Sequence, residues 1–231
     1  MIRRLLLVRH GVTTWNREGR FQGHLDSPLD PLGEEEARAL AGRIVREYSG
    51  PLLVTSSPLE RARATARILA DALEGDGRPV EVQLEPGLME IGQGAWEGLT
   101  HAELARDDAA RYAAWAESGG LQQPPGAEAV PDAASRAEGA VRRLLADQEA
   151  APGEALCLVS HGGILRLLAG RLVGLPDTEA WQLDVDNASL SVLERVERDG
   201  PWRIKRWNDT AHLAEGRAAD DRQREGEPPA L

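Results

Sequence analysis

At 231 residues, with 42% hydrophobic and 28% charged side chains, the chain has the composition of a soluble globular protein long enough to bury a sizeable core. A formal net charge of −11 argues against a broad basic surface for nucleic acid or anionic lipid, so an anionic ligand requires a local positive pocket. The single cysteine, Cys157, excludes an intrachain disulfide and fits a cytoplasmic, reducing setting.

The N-terminal MIRRLLLVRHG has too short an apolar run for a signal peptide, and no segment approaches the roughly 18 apolar residues of a membrane span. No membrane partner is expected. Residues 3 to 9 read as a continuously apolar strand, the pattern of a sheet covered on both faces. The Gly- and Pro-rich GHLDSPLDPLG leads into a helix over EEEARALAGRIVREY, stopped by Gly50 and Pro51. LLVTSS is a second buried strand, and LERARATARILADAL a second helix running to Gly75. A short strand and an irregular stretch around Glu90 follow, then helices over 101 to 117 and 132 to 149 separated by SGGLQQPPGAEAVP. EALCLVSHGG repeats the pattern of strand, His and Gly before another helix. Two β-like runs, about 181 to 197 and 201 to 207, precede a polar tail that is expected to be disordered from Glu215.

An Arg-His pair at one strand end is commonplace, but LLLVRHG and LCLVSHGG both end apolar strands in His-Gly. In an open α/β sheet, ligands bind beyond the carboxyl ends of strands, so His10 and His161 are expected to face one crevice. Arg9 and Arg61 suit a tetrahedral dianion, because the guanidinium fork supplies two parallel bonds at a time. Gly11 leaves room for a phosphate beside His10, whose imidazole suits attack on phosphorus if one nitrogen is neutral and the other donates to a carbonyl. His161 and the amide of Gly162 would stabilise charge on the transferring group, and Glu90 would serve as acid and then base. Glu85 and Glu97 lie close enough in sequence to compete with Glu90 for that role. Arg63 and Arg67 read as a solvated helix face, and His24, His101 and His212 as surface or loop residues without metal-ligand spacing. Trp15 and Trp96 read by default as packing residues, with the pocket wall as the alternative, and Arg111 and Arg136 are candidates for the pocket rim.

LVRHGVTTWN, FQGHLDSPLDPLG, TSSPLERARATA, LMEIGQGAWEG and LVSHGG, in this order over about residues 3 to 210, resemble the histidine phosphatase superfamily of phosphoglycerate mutases and related phosphatases. The resemblance implies an α/β three-layer sandwich around a mostly parallel sheet, as one domain over 1 to 214 with a cap over about 88 to 131. It implies that His10 becomes a phosphohistidine, that Arg9, Arg61 and His161 form the phosphate pocket, and that Glu90 is the acid/base. Thr13, Asn16 and the Gly162 amide would assist phosphate binding, and Gln22 and Gly23 would contact substrate. Thr13 and Asn16 also read as cap residues of a turn or helix, with Thr14 a neighbouring competitor. No metal or other cofactor is implied.

Mutases of this family carry an arginine pair after the Glu-bearing motif; here RYAAWAESGGLQQPPGAEAV has none, which favours hydrolysis. The phosphatases often read Pro-Pro-Gly-Gly-Glu-Ser where this chain has Pro-Pro-Gly-Ala-Glu-Ala, so the cap contacts differ. The expected function is hydrolysis of small phosphorylated metabolites, by a monomer or homodimer that binds no nucleic acid. A phosphoglycerate mutase and a non-catalytic phosphoester-binding regulator are the alternatives.

Overall fold

The computed structural model describes residues 2–147, 155–197 and 200–213, so the tail expected from Glu215 onward lies outside the described residues. Six strands, β1 (Arg4–Arg9), β2 (Leu52–Ser56), β3 (Val82–Leu84), β4 (Ala155–Ser160), β5 (Leu190–Glu194) and β6 (Arg203–Asp209), form one sheet in the order β3-β2-β4-β1-β5-β6. The first four in that order run parallel, and β5 and β6 are added antiparallel at one edge. The apolar runs are continuous because both faces are covered. Leu5, Leu7, Leu156 and Leu158 face one cluster, while Leu6, Val8, Cys157 and Val159 face the other.

Helices α2 (Pro31–Glu47) and α3 (Glu60–Gly75) close the second face, whereas α6 (Val130–Asp147) and α7 (Gly162–Val173) close the first. The fold is therefore the expected three-layer α/β sandwich. In α2, Asp30 caps the Gly33 N–H at 2.9 Å, Pro31 opens the first turn, and Ala37, Leu40, Ala41 and Ile44 make the buried stripe. Among the described residues the remaining α-helices are short: α1 (Thr14–Arg17), α4 (His101–Asp107), α5 (Ala109–Glu117) and α8 (Asp177–Ala180). Among the described residues, no helix is long and apolar enough to cross a membrane.

Several local expectations require correction. The helix expected over 101–117 breaks at Asp108, whose carboxylate accepts from Trp96 Nε1 at 3.2 Å and from Arg111. Trp96, by contrast, keeps its default packing role, buried among Phe21, Tyr112 and Trp115. His101 joins the same aromatic group, 4.8 Å from Phe21, and His212 Nε2 lies 3.0 Å from the Ala188 carbonyl, so neither is a free surface side chain. The β-like run over 181–197 is a strand only from Leu190 to Glu194. Its first half is irregular because its carbonyls serve buried arginines: Arg166 donates to Trp181 and Arg9 to Val185.

Candidate active site

Parallel pairing of β1 with β4 sets Arg9 opposite Ser160, so the next residue of each strand, His10 and His161, emerges side by side at the carboxyl edge. Their rings meet edge to face with centroids 5.2 Å apart. Strand β2 lies on the far side of β4, and Arg61 reaches the same edge from the first turns of α3. Glu90 completes the group. All five sequence-predicted residues are buried, Arg61 and His161 to within about one percent of full burial.

Hydrogen-bond partners fix the two imidazoles as opposite tautomers. His10 Nδ1 lies 2.7 Å from the Gly11 carbonyl, which only accepts; Nδ1 therefore carries the proton and Nε2 the lone pair. Arg61 Nε, which only donates, gives its N–H to His161 Nδ1 at 3.2 Å; His161 Nε2 therefore carries the proton and donates to Ser57 Oγ at 2.8 Å. Burial, followed by the positive charges of Arg61 and Arg9, holds the His10 imidazole well below its ordinary pKa. For His161, burial acts first, then Arg61 and His10, in the same direction.

Arg9 donates from Nη1 to the Val185 carbonyl at 2.6 Å, while its buried Nε has no partner among the described residues. Desolvation lowers its pKa to about 10, opposed by the Glu90 carboxylate. Arg61 is held along its whole fork, by Nη2 to the Gly23 carbonyl at 2.8 Å and by Nη1 to Leu25 O and Asp26 Oδ1, each at 3.1 Å. Burial lowers its pKa, with Asp26 acting in the opposite direction. Glu90 accepts backbone N–H bonds from Ile91 at 2.9 Å and from Gly163 and Ile164, each at 3.2 Å, the last two being buried first-turn donors of α7 that have no acceptor within the helix.

Thr13 is the buried N-cap of α1; its hydroxyl lies 3.0 Å from Asn16 Oδ1 and 3.2 Å from Gln22 Oε1. The competitor Thr14 turns away to Ser27 Oγ at 2.7 Å. Asn16 Oδ1 also accepts from Asn187 Nδ2 and the Thr13 N–H, which fixes its amide and leaves Nδ2 as the remaining donor. Gln22 and Gly23 sit beside the pocket, and Gly23 has φ 53° where its backbone passes against Glu97 and Gln93. Gly162 packs against the Arg9 guanidinium, and Gly11 packs so closely on Gly33 that a Cβ would overlap its carbonyl. Arg136 does not reach the rim: it donates to the carbonyls of Gly87 and Met89 and pairs with Glu128. Arg111 is exposed and pairs with Asp108. His24 Nε2 lies 2.8 Å from the Glu90 carbonyl, a contact its sequence neighbourhood did not suggest.

Three further side chains escaped the sequence reading. Ser57 accepts from His161, Asn187 donates to the carbonyls of His10 and Gly11 at 3.1 and 3.4 Å, and Arg166 donates from Nε to the Gly162 carbonyl at 3.3 Å. Asn187 lies 177 positions from His10, so no local pattern announces it.

A lone-pair nitrogen and a ring N–H set among guanidinium groups and helix N-terminal amides form a site for a tetrahedral anion. A family model described as histidine phosphatase superfamily (branch 1) matches residues 5–210. The glucosyl-3-phosphoglycerate phosphatase of Mycolicibacterium vanbaalenii is 34% identical over 92% of this chain and 97% of its own. The metal-independent phosphoserine phosphatase of Arabidopsis thaliana is 35% identical over 91% and 83% respectively. A mycobacterial glucosyl-3-phosphoglycerate phosphatase solved with VO3 superposes with a TM-score of 0.77 at 35% identity, covering 89% of this chain and 98% of that one. With the five motifs in order, the two histidines side by side and these matches running nearly end to end, the chain belongs to the histidine phosphatase superfamily.

Proposed function

We propose that this phosphatase, which acts on small phosphorylated metabolites, works through a phosphohistidine at His10. The observation that carries this reading is the His10 tautomer: Nδ1 is committed to the Gly11 carbonyl, so Nε2 presents its lone pair to the pocket. In the first step Nε2 attacks phosphorus in line, the bond from phosphorus to the ester oxygen breaks, and Glu90 gives its proton to the leaving oxygen. In the second, water attacks phosphorus, Glu90 takes the water proton, and the phosphorus–nitrogen bond breaks to release inorganic phosphate. Arg9 Nε, Arg61, His161 Nε2, Asn16 Nδ2 and the Gly162 amide hold the equatorial oxygens, with Thr13 fixing Asn16 and with Gln22 and Gly23 beside the leaving group. Positioning and charge stabilisation supply most of the acceleration.

Hydrolysis, rather than return of the phosphoryl group, is favoured because residues 108–130 contain a single arginine, Arg111, already paired with Asp108. The cytosol is the proposed compartment, since the lone thiol, Cys157, is buried in β4.

The test is release of phosphate from an aryl phosphate in the presence of EDTA, comparing the wild type with His10→Ala. Release that survives EDTA, vanishes in the variant and accompanies acid-labile phosphate on the wild-type chain is expected. Undiminished release by His10→Ala, or its loss with EDTA, overturns the reading. Glucosyl-3-phosphoglycerate and phosphoserine, substrates named for the relatives, head the panel that follows.

A further inference from the structure

Arg166 is a charged side chain that the mechanism above leaves unused. It is 6% exposed, one turn into α7, and has no ion-pair partner among the described residues within salt-bridge distance. Its Nε donates to Gly162 O at 3.3 Å, its Nη1 donates to Trp181 O at 3.0 Å, and its guanidinium carbon lies 5.0 Å from the Trp181 ring centroid. Gly162 is thus gripped on two sides, by Arg166 at its carbonyl and by the Arg9 guanidinium against its Cα. Burying a guanidinium is expensive, and a hydrophobic strut would hold α8 at less cost.

We propose that Arg166 is a positioning residue of the phosphate pocket, a third buried guanidinium that aligns Gly162 and biases the site toward the dianionic form of its ligand. Around Gly162, Arg9, Arg61 and Arg166 set three buried positive charges against the buried Glu90, while the other buried carboxylates among the described residues, Asp30 and Glu36, are held by the Gly33 and Val12 amides. Asp26, on Arg61, is partly exposed, and Asp184 and Asp186 are exposed, so solvent screens all three. The charged groups acting on Arg166 are Glu90 and Asp184, and Arg166 in turn acts on Arg9. Coulomb energy scales with ligand charge, so removing one positive charge weakens a dianion by twice the free energy it takes from a monoanion.

This rests on the reading of the site as a phosphate pocket. The experiment is calorimetric titration of inorganic phosphate into the whole protein at pH 5 and pH 8, on either side of a second phosphate ionisation near 6. Wild type, Arg166→Gln and Arg166→Lys are compared. His24 and the remaining titratable groups are common to all three, so the ratios isolate Arg166. Arg166→Gln is expected to weaken binding about tenfold at pH 8 but only about threefold at pH 5, while Arg166→Lys keeps the wild-type ratio between the two. Equal losses at both pH values, or Lys no better than Gln, reduce Arg166 to a strut and overturn the proposal. If Arg166→Gln fails to fold, the wild type and Arg166→Lys decide: phosphate binding that does not tighten from pH 5 to pH 8 in both is equally fatal. Phosphate binding without hydrolysis by the wild type removes the catalytic reading and leaves Arg166 to these ratios; no binding at either pH removes both.

Discussion

His10 and His161 stand 5.2 Å apart as opposite tautomers, one offering a lone pair at Nε2 and the other an N–H at Nε2. The difference arises from their neighbours: a carbonyl can only accept from His10, and a guanidinium can only donate to His161. One residue type thereby supplies the proposed nucleophile and a hydrogen-bond donor in the same crevice.

Holding both rings neutral has a cost in acid. Each is kept well below the ordinary imidazole value of 6.5, first by burial and then by the nearby arginines, while the unfolded chain takes up protons as pH falls through that value. The unfolded state then binds more protons than the fold, so stability present above pH 6.5 drains away below it, by up to about 1.4 kcal/mol per pH unit for each ring. Urea unfolding at pH 7.5, 6.0 and 5.0 reads this directly, and a midpoint that stays level or rises toward acid counts against the neutral pair.

Ser57→Ala removes the acceptor of His161 Nε2–H and leaves a buried donor unpaired, at a cost of about 1–3 kcal/mol. Bound phosphate restores an acceptor to that N–H. The variant is therefore expected to melt lower than the wild type but to gain more Tm from saturating phosphate, whereas equal gains would show that His161 does not turn to the ligand.

Asn187→Ala strips support from the His10 and Gly11 carbonyls and from Asn16 Oδ1 together. The proposed nucleophile and a proposed phosphate donor lose their common anchor, and kcat is expected to fall roughly 10–100-fold, with a smaller change in KM. An unaltered kcat would assign the anchoring to the backbone alone.

Arg61→Ala empties the fork that holds residues 23–26 as well as His161, and kcat/KM is expected to drop by about 3–4 kcal/mol. Arg61→Lys retains the charge but not the three-way grip, so it should recover only part of this loss. Near-normal kcat/KM in the alanine variant would remove Arg61 from the clamp.

What was legible in the sequence was whatever repeats locally. Apolar runs ending in His-Gly announce two strands whose ends share an edge, and the register that pairs Arg9 with Ser160 needs only that they be neighbours. Arg61 stands out because a strand and a helix start flank it. Ser57, Asn187 and Arg166 were illegible because each acts on a group far away in the chain or on a backbone carbonyl, and neither leaves a periodic trace. Residues 181–186 misled for a specific reason: Trp181, Leu183 and Val185 alternate with Gln182, Asp184 and Asp186, the period of a half-buried strand. The carbonyls of Trp181 and Val185 instead face arginines, that of Asp184 accepts from Trp207 Nε1, and Ala188 turns the chain with φ 52° just before β5 begins.

Arg136 ties the carbonyls of Gly87 and Met89 to α6 and bonds both oxygens of Glu128, directly behind Glu90. The carboxylate proposed to carry the proton therefore rides on a segment braced from α6, with Glu97 Oε1 holding the Gln93 N–H a few residues further on. If Glu90 is the acid, insertions and substitutions over residues 98–123, beyond that tie, would diversify which alcohol departs without retuning how its oxygen is protonated. A lineage built on this chassis would then be free to explore new metabolites one surface loop at a time, with selection of the substrate and delivery of the proton inherited separately.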